Sequence, residues 1–269
     1  MSLRPTSRDW RLAAIDLRRG FAAWQIWFLL GMSDIRQRYK RSRFGQFWIT
    51  FSMAIFIGGI GLVYSQLFNT AIDTYVPYLA VSYTVWVLIS GIITESTTAF
   101  SSSAVYLRQD ALPKTIFILR VLVRNSISFL HNVVLVPLVF LIFQVNPGFT
   151  WLLAFPGLVL LLAAAFLLAL LLGVLSTRFR DLPQIVQNLV QMMFFVTPVM
   201  WQPDQMGRHM WLVVDFNPAA IFLRLVTEPM SGHVPPLSLY GYALAIIAVL
   251  AALVAPLFAR FRARIVYWL

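Results

Sequence analysis

Cysteine is absent from this 269-residue chain, lysine occurs only at Lys40 and Lys114, histidine occurs three times, and ten acidic residues face twenty-one lysines and arginines. Each scarcity removes a class of chemistry. Without cysteine there are no disulfides, thiolate metal sites or cysteine nucleophiles. A phosphate-binding P-loop needs a glycine-rich turn ending in Gly-Lys, and the two lysines follow Tyr39 and Pro113 instead, so ATP is not expected to be hydrolysed by this chain. His131, His209 and His233 are far apart and in no metal-spaced motif, so no metal centre is expected. His131 is read either as a pathway-lining residue or as a packed, hydrogen-bonded histidine. Ion-coupled transport places carboxylates at mid-membrane, whereas here all ten Asp and Glu lie outside or at the edges of the apolar runs, Glu95 being the nearest. The first 20 residues carry five arginines and two aspartates with no apolar h-region, so no cleavable signal is expected, and the first span is expected to target the protein. No internal repeat, low-complexity tract or second soluble domain is visible.

What is abundant is apolar side chain. Hydrophobic residues make up 60% and charged residues 12%, against roughly 45–50% and about 25% in soluble domains. Crossing about 30 Å of hydrocarbon takes about 20 apolar residues in a helix. Six segments qualify: 47–67, 76–94, 126–143, 151–176, 184–201 and 239–259. The fifth, with Gln187, Asn188 and Gln191, is the most polar and is expected to face protein or water rather than lipid.

The positive charges orient these spans. Ten Lys and Arg lie within residues 1–46, four within 95–125, two at Arg178 and Arg180, and three at Arg260, Arg262 and Arg264; the opposite connections hold only Arg208 and Arg224. By the positive-inside rule the first set is cytoplasmic, as are both termini. The basic excess, +11 overall, therefore meets an anionic leaflet rather than nucleic acid.

The expected fold is an all-α membrane protein with six transmembrane helices. Residues 1–46 form a cytoplasmic N-terminus with an amphipathic interface helix, and 47–269 a six-span domain with short re-entrant or outer helices in 202–238. In the interface helix Trp24, Phe28, Gly31, Ile35 and Tyr39 share one face, and Arg36, Arg38, Lys40, Arg41 and Arg43 cluster at its end.

Five segments together resemble one family: DIRQRYKRSRFGQFW at 34–48, LRQDALPKTIFILR at 107–120, RFRDLPQIV at 178–186, QMMFFVTPVMW at 191–201 and NPAAIFLRLVTEPMSG at 217–232. Their order is similar to that of type-2 ABC exporter permeases moving lipid-linked polysaccharides such as O-antigen, capsule or teichoic acid. The likeness runs through most of the chain from about residue 24. One departure is the absence of a proline after Phe51, where Ser52 and Met53 stand.

The resemblance implies a homodimer with two ATPase subunits in the bacterial inner membrane, ATP and Mg being bound by the ATPase and no cofactor by this chain. It also implies a coupling element around Tyr106, Leu107, Arg108, Asp110, Pro113 and Lys114, with a second ATPase contact at Arg178, Arg180 and Asp181. As an ordinary loop, the first stretch would only satisfy the charge rule. Arg36, Arg38, Lys40, Arg41 and Arg43 either gather a lipid-linked pyrophosphate headgroup, since guanidinium groups bind phosphate bidentately, or merely hold anionic lipids. Trp48, Phe51, Tyr83, Trp86, Phe194, Phe195 and Trp201 are candidate pore-lining residues, with interface-belt and packing roles as the alternative. Tyr83 and Trp86, in a stretch that also carries Ser82 and Thr84, are preferred. Two other functions stay open: an ABC exporter of drugs or small amphiphiles, and an ion-coupled secondary transporter.

Overall fold

The computed structural model describes residues 5–40, 45, 47–109, 112–203 and 214–269, and among these every regular element is helical. In chain order they are α1 (Ser7–Ala22), α2 (Trp24–Tyr39), α3 (Phe47–Leu67), α4 (Ile72–Ser96), α5 (Ala104–Gln109), α6 (Thr115–Val133), α7 (Leu135–Ile142), α8 (Ala154–Arg178), α9 (Leu182–Val196), α10 (Pro218–Met230), α11 (Leu237–Phe261) and α12 (Ile265–Trp268). Among the described residues five stretches are long and apolar enough to cross a bilayer: Phe47–Leu67, Ile72–Ser96, Thr115–Ile142, Gly148–Arg178 and Leu237–Trp268. The chain is a multi-pass membrane protein.

Two elements differ from expectation in instructive ways. The third span begins at Thr115, well before residue 126, and so takes Arg120, Arg124 and Asn125 into its helix. The fifth expected span is a 15-residue helix, α9, about 22 Å long at 1.5 Å per residue and short of the hydrocarbon thickness. It stops because Pro198 forces the preceding residue out of helical geometry: Thr197 is extended, at φ −85° and ψ 140°.

The chain beyond that break is buried, from Thr197 through Trp201. Bare backbone away from water needs partners, and α4 supplies them. Tyr75 donates its hydroxyl to the Met200 carbonyl at 2.5 Å, and Tyr78 donates to Pro198 at 2.5 Å and Trp201 at 3.1 Å. The Trp201 indole donates to the Phe195 carbonyl at 3.0 Å. Asn217 then donates to the Thr197 hydroxyl at 2.9 Å while its oxygen caps Ala219 and Ala220 at the start of α10. Pro218 at the first helical position completes that start signal.

α10 is buried through Ala220, Ile221, Phe222, Leu223, Leu225 and Val226, and it packs on α8, α4 and α11. Gly157 of α8 lets the two backbones touch, since a Cβ there would overlap the Leu225 carbonyl. Arg224 is neutralised by Asp215 at 3.0 Å and Glu228 at 2.7 Å. Residues 204–213, including Arg208, His209 and Trp211, lie outside the described set.

At the other end of the sequence, Thr6 caps α1 through a reciprocal pair with Asp9. The Thr6 backbone N–H, then its hydroxyl, hold the Asp9 carboxyl below its ordinary value. Asp16, Ala13 and Gly20 form the buried face of α1. Asp16 accepts from the backbone N–H of Lys114 and Thr115, both at 3.0 Å, from the Thr115 hydroxyl at 2.8 Å, and from Arg262 at 3.2 Å. It thus caps α6 from another helix and ties in the C-terminal arginines, which charge counting had treated as orientation signals alone. Arg260 adds a looser pair with Asp9 at 3.8 Å.

α2 is more than a lipid-facing strip. It lies along α6, with Gly31 against Val123 and the Arg120 carbonyl and Ile35 buried, while Trp24 and Phe28 stay exposed.

Candidate functional site

A groove of about 490 Å³ opens between α3, α4 and α9. Helical spacing builds it. On α4, Tyr83, Trp86, Val87, Ser90, Gly91 and Thr94 recur at three and four residues and share one stripe; Gln187, Val190, Gln191 and Phe194 do the same on α9; Phe56 comes from α3. Phe56 stacks on Tyr83 with ring centroids 4.3 Å apart and planes at 20°. Phe194 meets Tyr83 edge-on at 6.3 Å and lies 5.8 Å from Trp86. The rings of Tyr83, Trp86 and Phe194 gather at one end of these stripes, and Ser90, Thr94, Gln187 and Gln191 follow along the same two helices, so the groove offers ring faces for packing and hydroxyls and amides for hydrogen bonds.

Ser82 and Thr84 do not join this wall. Both are buried, and Thr84 donates back to the Ala80 carbonyl at 2.7 Å. Of the seven aromatic candidates, Tyr83, Trp86 and Phe194 line the groove. Trp48 and Phe51 stand exposed on α3 with rings 5.9 Å apart, Phe195 is exposed on α9, and Trp201 is buried in the stitched segment beyond it. His131 is accounted for locally, its Nδ1 lying 2.8 Å from the Ile127 carbonyl.

One end of the groove meets a charged cluster that sequence analysis had not assembled. Glu95 follows Thr94 directly, and a Cβ on groove-lining Gly91 would overlap the Asn125 side chain. Arg124 donates to Glu95 Oε2 from Nε at 2.8 Å and from Nη2 at 2.6 Å, and Asn125 donates to the same oxygen at 2.7 Å. Arg38 reaches Glu95 Oε1 at 3.0 Å. Asp34 accepts from Arg120 bidentately, with Nε at 2.7 Å, and from Arg124 Nη1 at 2.8 Å. Arg120 also donates to the Ser103 hydroxyl at 3.2 Å. α2, the end of α4, the segment before α5, and α6 are thereby joined by charge-assisted bonds, the strong kind.

Burial works against the charge on Arg38, but the hydrogen bond and attraction of Glu95 outweigh it, so the guanidinium is held above its ordinary value. Arg36 and Lys40 are exposed beside it; Arg41 and Arg43 lie outside the described residues.

The residues expected to contact an ATPase lie on and beside α5 and at the α8–α9 link. Leu107 is buried in the main core, while Val105, Tyr106 and Arg108 are exposed and α5 rests on α12. Pro113 and Lys114 are half-buried, and Asp110 lies outside the described residues. Burial pulls the Lys114 ammonium below its ordinary value, with Asp16 opposing and Arg262 reinforcing the fall. Arg180 and Asp181 are exposed, and Arg178 lies 5.8 Å over the Trp268 ring at a cleft of about 450 Å³ between the ends of α8 and α11.

Comparison with known proteins gives the family. Residues 25–230 match the family model described as ABC-2 type transporter. The chain belongs to the ABC-2 type transporter family. The match takes in α2 and the charged cluster, the whole groove and α10. This ABC-2 transporter chain is also similar to two proteins from Klebsiella pneumoniae, each named O-antigen export system permease protein RfbA. They are 21% and 20% identical over 188 residues, 70% of this chain and 73% of theirs. A protein of the same name from Myxococcus xanthus is 26% identical over 192 residues, 68% and 72% of the two chains. The ABC-2 chain is thus a membrane transport subunit.

Proposed function

We propose that this chain is the permease subunit of an ATP-driven exporter that moves a lipid-linked polysaccharide across the bacterial inner membrane. It works as a homodimer with two ATPase subunits. In this reading both termini and the charged cluster are cytoplasmic, and α9 with the stitched segment after it makes the fifth of six passes, α10 lying as an outer-leaflet helix. The outward face of α5, with Val105, Tyr106 and Arg108, docks on the ATPase, and Arg180 with Asp181 makes the second contact. ATP-driven closure then pushes α5, whose chain continues into α6 and so into the cluster at the groove's end.

The observation that carries this reading is the groove itself: three aromatic rings, Tyr83, Trp86 and Phe194, followed along the same two helices by Ser90, Thr94, Gln187 and Gln191, and ending in a cluster rich in guanidinium. The names of the relatives support polysaccharide over a small amphiphile as the cargo. The test is a deletion strain complemented with the wild-type gene or with Trp86→Ala and Gln191→Ala together. Surface polysaccharide should return with the wild type and stay low with the double variant, lipid-linked polymer accumulating inside. Co-purification should bring a P-loop ATPase in stoichiometric amount. Transport by the purified chain on an ion gradient alone, or unchanged surface polysaccharide in the deletion strain, would overturn the proposal.

A further inference from the structure

Among the described residues the charged cluster is one anion short. Three guanidinium groups, on Arg38, Arg120 and Arg124, are met by two carboxylates, those of Asp34 and Glu95. The two carboxylates are also used unequally. Asp34 spreads its donors over both oxygens, whereas Glu95 takes three donors on Oε2 alone and holds Arg38 by a single 3.0 Å contact on Oε1. Arg38 is also the most accessible arginine of the three, with its side chain 49% exposed against 16% and 18% for Arg120 and Arg124. A phosphate ester has more acceptor oxygens than a carboxylate and the same bidentate match to guanidinium.

We infer that Glu95 is an internal placeholder anion, and that the phosphate headgroup of a lipid displaces it from Arg38, Arg124 and Asn125 at the groove's end. The inference rests on the exporter reading only in naming a lipid pyrophosphate as the first source; bulk anionic phospholipid offers the same chemistry. Asp34 and Arg120 remain paired throughout and keep α2 on α6. The exchange frees the carboxylate that follows Thr94 in the groove wall, so headgroup arrival is felt where the polymer enters. It also explains a carboxylate at the edge of a span that no ion-coupling role requires.

The test uses the full chain in phosphatidylcholine nanodiscs, with geranylgeranyl pyrophosphate as the probe and phosphatidylglycerol as a competitor. Glu95→Gln keeps the shape and one acceptor oxygen but removes the competing charge. It should bind the probe about tenfold more tightly than wild type, and Arg124→Gln should bind it at least about tenfold more weakly, as loss of a charge-assisted bond implies. Arg18→Gln, on the exposed side of α1, should leave binding unchanged. Equal or weaker binding by a Glu95→Gln protein that melts like wild type would overturn the exchange. If that variant does not fold, Arg38→Gln decides: its half-exposed side chain can be lost without collapse, and wild-type affinity there also overturns the proposal. Competition by phosphatidylglycerol at equal concentration assigns the site to bulk lipid phosphate; resistance assigns it to pyrophosphate. Unchanged probe binding alongside intact export in the complementation assay removes the exchange and leaves the exporter standing. Tighter binding by Glu95→Gln without export leaves the phosphate site and removes the exporter.

Discussion

α3 and α4 are adjacent in sequence, pack against each other and have the same mean hydropathy, yet 67% of the apolar window of α4 is buried within the chain and only 17% of that of α3. Hydropathy records the preference for leaving water, which lipid and protein satisfy equally well. What separates the two helices is neighbours. α4 is surrounded by α3, α6, α7, α8, α9 and α10, whereas α3 meets α4 and α6 and shows Phe51, Ile55, Leu62 and Val63 outward. α4 is thus the axle of the fold, bearing the groove stripe, the Tyr75 and Tyr78 anchors and Glu95. α3 is a wall whose outer face is left for lipid or for a second copy.

The sharpest way to break this contrast is a matched pair of truncations. Leu79→Ala, at a fully buried site on α4, should cost about 2–5 kcal/mol. Leu62→Ala, at 61% exposure on α3, should stay within about 0.5 kcal/mol, both read by denaturant unfolding in detergent at low protein concentration. Equal costs would mean that the outer face of α3 is covered by another chain. A second pair lies within α3. A Cβ on Gly61 would sit 2.7 Å from Val76 of α4, while Gly59 has open space around it. Gly61→Ala should therefore lose about 1–3 kcal/mol by overpacking, and Gly59→Ala should be neutral or gain up to about 1 kcal/mol from helix propensity. Tyr78→Phe should follow with a loss of about 1 kcal/mol, and limited proteolysis should then cut nearer residues 198–201, whose carbonyls lose a donor. The smallest effect is expected from Thr84→Val on α4 and Ser65→Ala on α3. Each hydroxyl bonds a carbonyl of its own helix, at 2.7 Å and 3.0 Å, so both should change stability by under about 0.6 kcal/mol. Both hydroxyls are buried, so a large loss for Thr84→Val alone would show that the denser packing around α4, rather than burial, sets the value of such bonds.

The legible parts of the fold were those decided within one helix. The first span, 47–67, was readable to its ends because an uninterrupted apolar run meets polar residues on both sides. The third was placed too late for the opposite reason: Arg120, Arg124 and Asn125 break the apolar window, and nothing local shows that Asp34 and Glu95, 86 and 29 positions away from Arg120 and Arg124 respectively, neutralise them. The α9 helix was over-extended because hydropathy continues past Pro198 although helical geometry cannot.

The candidate site divides along the same line. Tyr83 and Trp86, three apart, and Gln187 and Gln191, four apart, carried a readable signal, since aromatics and amides within spans are uncommon. Phe56, Ser90 and Thr94 carried none, and Ser82 and Thr84 pointed the wrong way. A helix that is apolar all round has no stripe from which its phase can be read. Asp34 was the costliest omission: its one available signal was a lone acidic residue within an otherwise basic helix end, and it binds two arginines of α6.

Composition, apolar runs and the placement of arginines by themselves determined a helical multi-pass membrane protein with no P-loop of its own. The helical spans follow from backbone groups that must bond within their own helix wherever water is missing. Only the tertiary structure decided which span is the axle, which aromatics share a groove, that Asp16 caps a helix begun at Thr115, and that Glu95 stands among arginines at the groove's end. Such pairings depend on which faces of separate helices meet, and that is settled by packing between residues remote in the chain.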